Sequence, residues 1–344
     1  MNRMSSTCQR LYSELLQACL RGAAPSGRGL SFVSKKIDGK KHWYLQFTVG
    51  SRKTQHYLGP DREDTRARIA EEKQLWENAA PELSERRRMV ALVAQAGGLA
   101  PTTAEGRVLE VLERTGAFRV GGTLVGSMAF RQYGNMLGVV WSSGVTSTED
   151  VDVAQDDRIP VGVGAEPGNL SEALRESGLG SVEVPALDRK SPSTSFKIRG
   201  QQFSVDLLTP MRGKSTDRPL HVPTLDAMAK PVRFLDYLLK DIQPAAVVSG
   251  AGILVNVPAP GRFALHKLVV AERRPAAWQA KADKDIAQAA ELLDVLLESR
   301  PGDLLIAQDA ADTMPSAFRK ALDQGKRKLP GPLRVGLEDL LKPA

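Results

Sequence analysis

Alternating apolar and polar positions predict a small β-sheet near the N-terminus. Between positions 43 and 49, Trp, Leu, Phe and Val alternate with Tyr, Gln and Thr, which is the period of a strand with one apolar and one polar face. The dipeptide Asp38-Gly39 before it is typical of a type I′ hairpin turn. Gly50-Ser51 predicts a second turn, and a third strand returns from Arg52 to Leu58. We therefore predict a three-stranded antiparallel meander.

After the meander, the apolar residues follow the spacing of helices. A first helix is predicted from Arg62 to Ala79, where Ile69 and Trp76 lie seven positions apart on one face. Proline is favourable in the first turn of a helix, so Pro81 is predicted to open a second helix that ends at Gly97-Gly98. The Gly-, Pro- and Thr-containing stretch after it predicts a linker and a domain boundary.

Beyond this linker, helix and strand patterns alternate. A helix is predicted from Ala104 to Thr115 and a strand from Phe118 to Val125. A further helix begins at Ser127, and the stretch from Gly134 to Ser147 predicts a loop. Two more strand patterns follow, and the last third of the chain has mainly helical spacing.

The composition is that of a folded globular chain. Its 344 residues are 42% hydrophobic and 25% charged, which excludes a disordered or collagen-like protein. Cys8 and Cys19 are too few for a disulfide framework and too isolated for a zinc site. No apolar run approaches the ~20 residues that cross a bilayer, and the N-terminus lacks the apolar segment of a secretory signal. We expect a cytoplasmic protein that makes no membrane contact.

The positive charge is concentrated in the meander. The formal net charge is +7, and nearly all of the excess lies between Arg28 and Gly59, together with five aromatic residues. Such a basic, aromatic sheet can follow a nucleic-acid backbone and stack on bases. The alternative is that the lysines only solubilise an exposed sheet edge. The candidate nucleic-acid-binding residues are Lys35, Lys36, Lys40, Lys41, Arg52 and Lys53.

Gly126-Ser127 lies at a predicted strand-to-helix turn. Glycine lets a ligand approach the backbone closely, and the free N–H groups at the start of a helix suit a phosphate. Ser127 adds a hydroxyl, which either meets the phosphate or simply caps the helix. The pair is a candidate nucleotide-binding turn, although most Gly-Ser pairs are ordinary turns.

Three aspartates form the main candidate for catalysis. In a strand, Asp150 and Asp152 point to one face while Val151 and Val153 point to the other. Asp206 lies in a second apolar strand, where an unpaired carboxylate is costly. If the two strands are neighbours, the three carboxylates converge on a site for Mg²⁺ or Mn²⁺ that takes its remaining ligands from phosphates. The alternative is an acidic loop in which the alternation is accidental.

These residues together resemble the polymerase-β-like nucleotidyltransferase superfamily. Its pattern is a Gly-Ser or Gly-Gly turn, here Gly126-Ser127, two acids two positions apart, here Asp150 and Asp152, and a third acid on a later strand, here Asp206. The resemblance implies that the turn binds the nucleoside triphosphate (NTP) and that the paired acids bind both metal ions. The third acid completes the site of the ion that activates the incoming hydroxyl. One departure is the gap of 22 residues between Ser127 and Asp150, which is longer than usual in the superfamily.

A more distant similarity involves the helical region. Lys267, followed by Lys284, Asp285 and a leucine-rich helix, is similar to a stretch in nucleotidyltransferases of the AbiEii/MenT type. The similarity implies that Lys267 contacts the triphosphate and that Asp285 braces the site, and it leaves open a toxin-like role with an antitoxin partner. The family's second Asp of this motif falls at Gln288 and its Arg at Lys284. The alternative for Lys267 is an ordinary solvated helix lysine.

The resemblance implies an α+β fold. In the polymerase-β-like nucleotidyltransferase core, helices flank a small mixed sheet. The meander module precedes this core, and a C-terminal helical region follows it. The whole arrangement resembles a bacterial group of nucleotidyltransferase-domain proteins. We predict an N-terminal helix or tail over 1–27, the basic meander with two helices over 28–98, the core over 99–225 and a mainly helical region over 226–344.

The expected activity is metal-dependent transfer of a nucleoside monophosphate (NMP) from an NTP to an acceptor hydroxyl, with release of pyrophosphate. The basic meander favours a nucleic acid such as tRNA as acceptor, and a protein side chain or a small molecule stays open. Two other classes compete: a non-catalytic nucleic-acid-binding protein, and a metal-dependent glycosyltransferase, since Asp-x-Asp pairs also bind sugar nucleotides.

Overall fold

The computed structural model describes most of the chain, in ten segments. They are residues 2–22, 30–49, 52–142, 144–146, 150–158, 170–176, 181–184, 191–198, 203–214 and 216–342.

The strands and helices are named in chain order. The strands are β1 (Asn2–Arg3), β2 (Leu30–Ile37), β3 (Lys40–Val49), β4 (Arg52–Pro60), β5 (Thr123–Val125), β6 (Val139–Val140), β7 (Asp150–Ala154), β8 (Ser181–Glu183), β9 (Ser195–Ile198), β10 (Ser204–Met211), β11 (Leu220–Val222), β12 (Ala227–Arg233), β13 (Ile242–Val247) and β14 (Ile253–Pro258). The helices are α1 (Ser6–Arg21), α2 (Glu63–Gln95), α3 (Thr103–Arg114), α4 (Gly126–Leu137), α5 (Leu170–Glu176), α6 (Leu235–Leu239), α7 (Pro260–Arg273), α8 (Gln279–Ser299), α9 (Pro301–Asp312), α10 (Ser316–Arg327) and α11 (Gly331–Leu340).

The predicted meander is confirmed. β2, β3 and β4 form a three-stranded antiparallel sheet. Asp38 and Gly39 have φ angles of 49° and 76°, as both central residues of a type I′ turn require. The sheet packs on α2, where the ring of Phe32 stacks on Trp76 with centroids 4.9 Å apart. The second predicted turn, Gly50-Ser51, lies outside the described residues.

The prediction of two helices after the meander is wrong, because α2 runs through Pro81 as one helix of 33 residues. Proline removes one backbone hydrogen bond from a helix interior, but the surrounding Ala, Glu and Arg residues favour helix. The C-terminal half is also held by tertiary contacts. The buried side chain of Arg86 donates hydrogen bonds to the carbonyls of Ala251 and Gly252, at 2.8 and 2.6 Å.

A mixed sheet forms the centre of the fold. Its main path is β11-β12-β10-β7-β5, and β9 and β8 extend from β10. β7 and β10 are parallel neighbours, β10 and β12 are also parallel, and β5 pairs antiparallel with β7. The predicted α+β class is therefore confirmed.

Two element boundaries near the sheet differ from the prediction. The predicted strand Phe118–Val125 is formed only over Thr123–Val125, because Gly116 and Gly121 adopt positive φ angles and the intervening chain makes turns. The predicted loop from Gly134 is helical as far as Leu137 in α4. The helix ends at Gly138, which adopts the left-handed conformation with a φ of 69°.

The sheet also continues beyond position 225, where the core was predicted to end. β12 pairs with β10, and β13 and β14 form a separate antiparallel hairpin, so the region 226–344 becomes helical from Pro260 onwards. Helices α7 to α10 pack their apolar faces into one core shared with the sheet. Within the described residues, no helix combines the length and apolarity needed to cross a membrane.

Candidate active site

The structure brings the three predicted aspartates together on one face of the sheet. In the parallel pair β7–β10, Asp152 lies directly opposite Asp206, and Asp150 lies opposite Ser204. Paired positions on neighbouring strands point to the same side, and the strands lie about 4.8 Å apart. Val151 and Val153 fill the opposite face and are fully buried. Core packing therefore fixes the register that aligns the carboxylates.

Hydroxyl groups and a lysine hold these carboxylates. The Oγ of Ser204 donates to Asp150 Oδ1 at 2.7 Å, and the Oγ of Ser195 donates to Asp206 Oδ1. The Nζ of Lys281 lies 4.0 Å from Asp150 Oδ2. Among the described residues, no three His, Cys, Asp or Glu side chains are already gathered tightly around one metal position. The three aspartates share a face and a register, and oxygens of Asp150 and Asp206 are held by protein partners.

The clustered charge makes ionisation of the aspartates costly. Burial raises the pKa of Asp152 to about 7, and the negative charges of Asp206 and Asp150 add to this effect. Burial also raises the pKa of Asp206, against the hydrogen bond from Ser195, which lowers it. Carboxylates with raised pKa values are stabilised in their charged form by a bound cation.

The turn at Gly126 places the start of α4 against this cluster. Val125 pairs with Asp152 across the β5–β7 ladder, and Gly126 follows with a φ of 62°. A Cβ added at Gly126 would overlap Asp152 Oδ2. The N–H groups that open this 12-residue helix therefore lie beside the aspartates.

Ser127, the second residue of the turn, is held by a contact that the sequence did not predict. Gln288 on α8 is fully buried, and its Nε2 donates both to Ser127 Oγ at 3.1 Å and to the carbonyl of Val145 at 2.7 Å. Ser127 is therefore anchored by a helix that follows it by 160 positions. No sequence pattern joins these residues.

Lys267 is buried rather than solvated, with only 8% of its surface exposed. Its Nζ lies 2.6 Å from Asp285 Oδ1, and Arg274 Nε lies 2.5 Å from Asp285 Oδ2. Burial raises the pKa of Asp285, but Lys267 and Arg274 outweigh it and bring the pKa below its usual range. The positive charge of Lys267 also lowers the pKa of Asp152. The alternative of an ordinary surface lysine is therefore excluded.

Three further lysines lie near the aspartates. Lys281 and Lys230 were missed in the sequence, and Lys284 was named there only through the more distant similarity. Lys281 and Lys284 lie on α8, where the positions 281, 284, 285 and 288 share one helical face. Burial lowers the pKa of Lys284, and the nearby charge of Lys267 lowers it further. Lys230 on β12 lowers the pKa of Asp206. The i, i+3, i+4, i+7 spacing of these polar residues on one face of α8 was a usable signal for Lys281 and Lys284.

The lysines of the meander cluster at the β2–β3 turn. Lys36 pairs directly with Lys41 across the two strands, while Lys35 and Lys40 project from the other face. Like charges directly opposite in a sheet are destabilising. Lys41 lies 4.5 Å from the ring centroid of Trp43. Arg52 and Lys53 belong to β4, and their side chains lie outside the described part of the structure.

The comparison with protein families agrees with this geometry. The model of a nucleotidyltransferase family matches residues 103–314, which is more than half of the chain. The chain therefore belongs to this nucleotidyltransferase family and is a transferase. No curated protein and no solved structure shows significant similarity to it. Family membership argues against the two competing classes, the non-catalytic binding protein and the glycosyltransferase.

We expect Gly126→Ala to lower the free energy of unfolding by about 1–3 kcal/mol, since the left-handed conformation is strained for alanine and the new methyl group meets Asp152. Urea unfolding at pH 7 measures the change. The matched control is Gly302→Ala on α9, where an added Cβ meets no atom within 4 Å. Equal stability of the two variants would contradict the close approach of Gly126 to Asp152.

Proposed function

We propose that this protein transfers an NMP from an NTP to an acceptor hydroxyl and releases pyrophosphate. The observation that carries the proposal is the in-register alignment of Asp152 with Asp206, beside Asp150 and the start of α4. This arrangement supports a polymerase-β-like site, and the more distant AbiEii/MenT-type similarity remains part of the proposal.

The donor set fits a pair of divalent cations, Mg²⁺ or Mn²⁺. Carboxylate oxygens are the ligands that these hard ions prefer. Burial, together with the neighbouring negative charges, raises the pKa of Asp152 and of Asp206, and a bound cation would offset this cost of ionisation. Asp150 and Asp152 would hold both ions and Asp206 one of them. When bound, the ions neutralise charge on the attacking and leaving oxygens.

The surrounding residues supply binding and orientation for the triphosphate. The N–H groups at Gly126 and Ser127 and the positive end of the α4 dipole suit phosphate oxygens. Lys267 has its ammonium fixed by Asp285, so little side-chain entropy is lost when it binds a phosphate. Lys281 and Lys284 add positive charge at the same face.

The chemical step is an in-line displacement. The acceptor oxygen attacks the α-phosphorus, the bond from that phosphorus to the oxygen of the β-phosphate breaks, and pyrophosphate leaves. The proton of the acceptor hydroxyl passes to a carboxylate oxygen of Asp206, to which we assign the role of activating the acceptor. Positioning and electrostatics then carry the catalysis, as is usual for phosphoryl transfer.

A nucleic acid, such as tRNA, is the acceptor class that the meander favours. Lys36 and Lys41 face each other despite their repulsion, and a polyanion would relieve that repulsion. Protein and small-molecule acceptors are alternative outcomes of the test below.

Transfer of label from α-³²P NTPs tests the proposed function. We expect Mg²⁺-dependent labelling of an acceptor, first from total RNA and then from total protein, with release of pyrophosphate. Omission of the metal and the Asp152→Ala variant serve as controls. Absence of label with all four NTPs and every acceptor pool would overturn the proposal.

Replacing Lys35, Lys36, Lys40 and Lys41 at the β2–β3 turn by glutamine tests whether the meander binds nucleic acid. We expect RNA binding at about 100 mM salt to weaken at least tenfold, with a shallower salt dependence, because each lost phosphate contact lowers the slope by about 1. Filter binding over a salt series measures both quantities. The matched control replaces four exposed lysines elsewhere, namely Lys214, Lys240, Lys320 and Lys342. Equal losses in both variants would show that only the overall charge matters.

A further inference from the structure

One large aromatic side chain lies exposed beside the candidate active site. Trp278 is 49% exposed, whereas Trp141 is buried and Trp43 and Trp76 are half-buried. It ends a single 3-10 turn, Ala276–Trp278, directly before α8. A half-exposed indole adds little to core packing and leaves ring surface open to a ligand.

Lys281 links this indole to the aspartate cluster. Its Nζ lies 4.6 Å from the ring centroid of Trp278 and 4.0 Å from Asp150 Oδ2. The indole is therefore at most about 9 Å from a carboxylate that would hold the metal ions. The ammonium of Lys281 lies between the two groups.

The turn that presents the indole is anchored at both ends. The N–H of Trp278 donates to the carbonyl of Pro275 at 2.8 Å. Just before the turn, Arg274 is ion-paired with the buried Asp285, and just after it α8 begins. The backbone that carries the indole is thus fixed before any ligand binds, which reduces the entropy cost of stacking.

We propose that Trp278 is the stacking platform for the base of the incoming NTP, an inference that rests on the proposed function. A nucleotide carries its base one ribose away from its α-phosphate, so a platform must stand close to the phosphate-binding groups without contacting the metal ions. Trp278 meets both conditions, since Lys281 and Lys284 lie on the next turns of α8. Every base has a π face, so the platform accepts all four NTPs with modest preference.

The test separates recognition of the base from recognition of the phosphates. Wild type, Trp278→Ala and Trp278→Phe are titrated calorimetrically, in Mg²⁺, with inorganic tripolyphosphate and with the α,β-methylene analogues of the four NTPs, which cannot be cleaved at the α-phosphate. We expect Trp278→Ala to weaken binding of the analogues at least tenfold and of tripolyphosphate less than twofold. Trp278→Phe retains a ring and should lose less than threefold. The control Ile306→Ala, which removes a 60% exposed apolar side chain on α9, should change neither affinity.

The outcomes distinguish the two levels of the proposal. One outcome is that wild type binds both the analogues and tripolyphosphate while Trp278→Ala binds the analogues equally well. In that case the assignment of Trp278 as the stacking platform is wrong, while the proposed function stands. If Trp278→Ala raises only the KM for the nucleic-acid acceptor, the base on the indole belongs to the acceptor, and the assignment to the incoming NTP is overturned. If wild type binds neither ligand, the proposed function fails and the platform fails with it.

Discussion

The Asp152→Asn variant is expected to lose at least a thousandfold in nucleotidyl transfer and yet to be more stable than the wild-type protein at pH 8 without divalent ions. The loss of transfer follows because the amide removes a negative charge and an oxygen donor from the proposed metal site. The gain in stability follows because the ionised Asp152 lies in a half-buried site beside Asp206 and Asp150, and asparagine carries no such charge.

The pH dependence of this gain follows from the pKa of Asp152. The pKa is about 7 in the folded protein and close to 3.9 in the unfolded chain. Below pH 4 the carboxyl group is protonated in both states and contributes nothing. As the pH rises from 4 to 7, the unfolded state loses its proton first, so wild-type stability falls relative to the variant, and above pH 7 the difference is constant. We expect a plateau of about 1–3 kcal/mol, reduced from the full linkage value by solvent screening.

Differential scanning calorimetry between pH 4 and pH 8, without metal and then with Mg²⁺, measures this dependence. Mg²⁺ should stabilise the wild type by mass action and leave Asp152→Asn almost unchanged. The control Asp217→Asn alters an exposed aspartate and should shift neither activity nor stability. A variant that is less stable than wild type at pH 8 would contradict the half-buried, repulsive environment assigned to Asp152.

The alternating pattern along the strands was sufficient to predict the acidic face. Val151 and Val153 must be buried, which sends Asp150 and Asp152 to the other side, and the same logic places Asp206. Adjacency of β7 and β10 was an inference from the resemblance, since pairing between strands some fifty positions apart leaves no local signal. The Asp38-Gly39 turn was predictable for the opposite reason, because only two residues determine it.

The helical contributions to the site were harder to predict. The contact of Gln288 with Ser127 depends on how α8 packs against α4, and no local property of either helix encodes it. Pro81 shows the converse, since a strong local signal for a helix start was overridden by favourable residues on both sides and by the tertiary anchoring of Arg86. The roles of residues that act through long-range packing therefore could not be predicted from the sequence.

Lys267→Met should lower both stability and transfer, and a second substitution separates the two effects. In the single variant Asp285 stays buried with Arg274 as its remaining ion-pair partner, so we expect a loss of about 1–3 kcal/mol in the free energy of unfolding. Transfer should fall at least a hundredfold, as when one fixed electrostatic group is removed from a phosphoryl-transfer site. Urea unfolding and the labelling assay measure the two losses.

The double variant Lys267→Met/Asp285→Asn decides what the lysine does. Asparagine removes the buried negative charge, and Arg274 is partly exposed and can be solvated, so at least half of the lost stability should return. Transfer should stay a hundredfold low, because the ammonium that we assign to the triphosphate is still missing. The control Lys320→Met changes an exposed lysine on α10 and should alter neither quantity. If activity recovered together with stability in the double variant, Lys267 would serve only to neutralise Asp285, and its proposed contact with the triphosphate would be wrong.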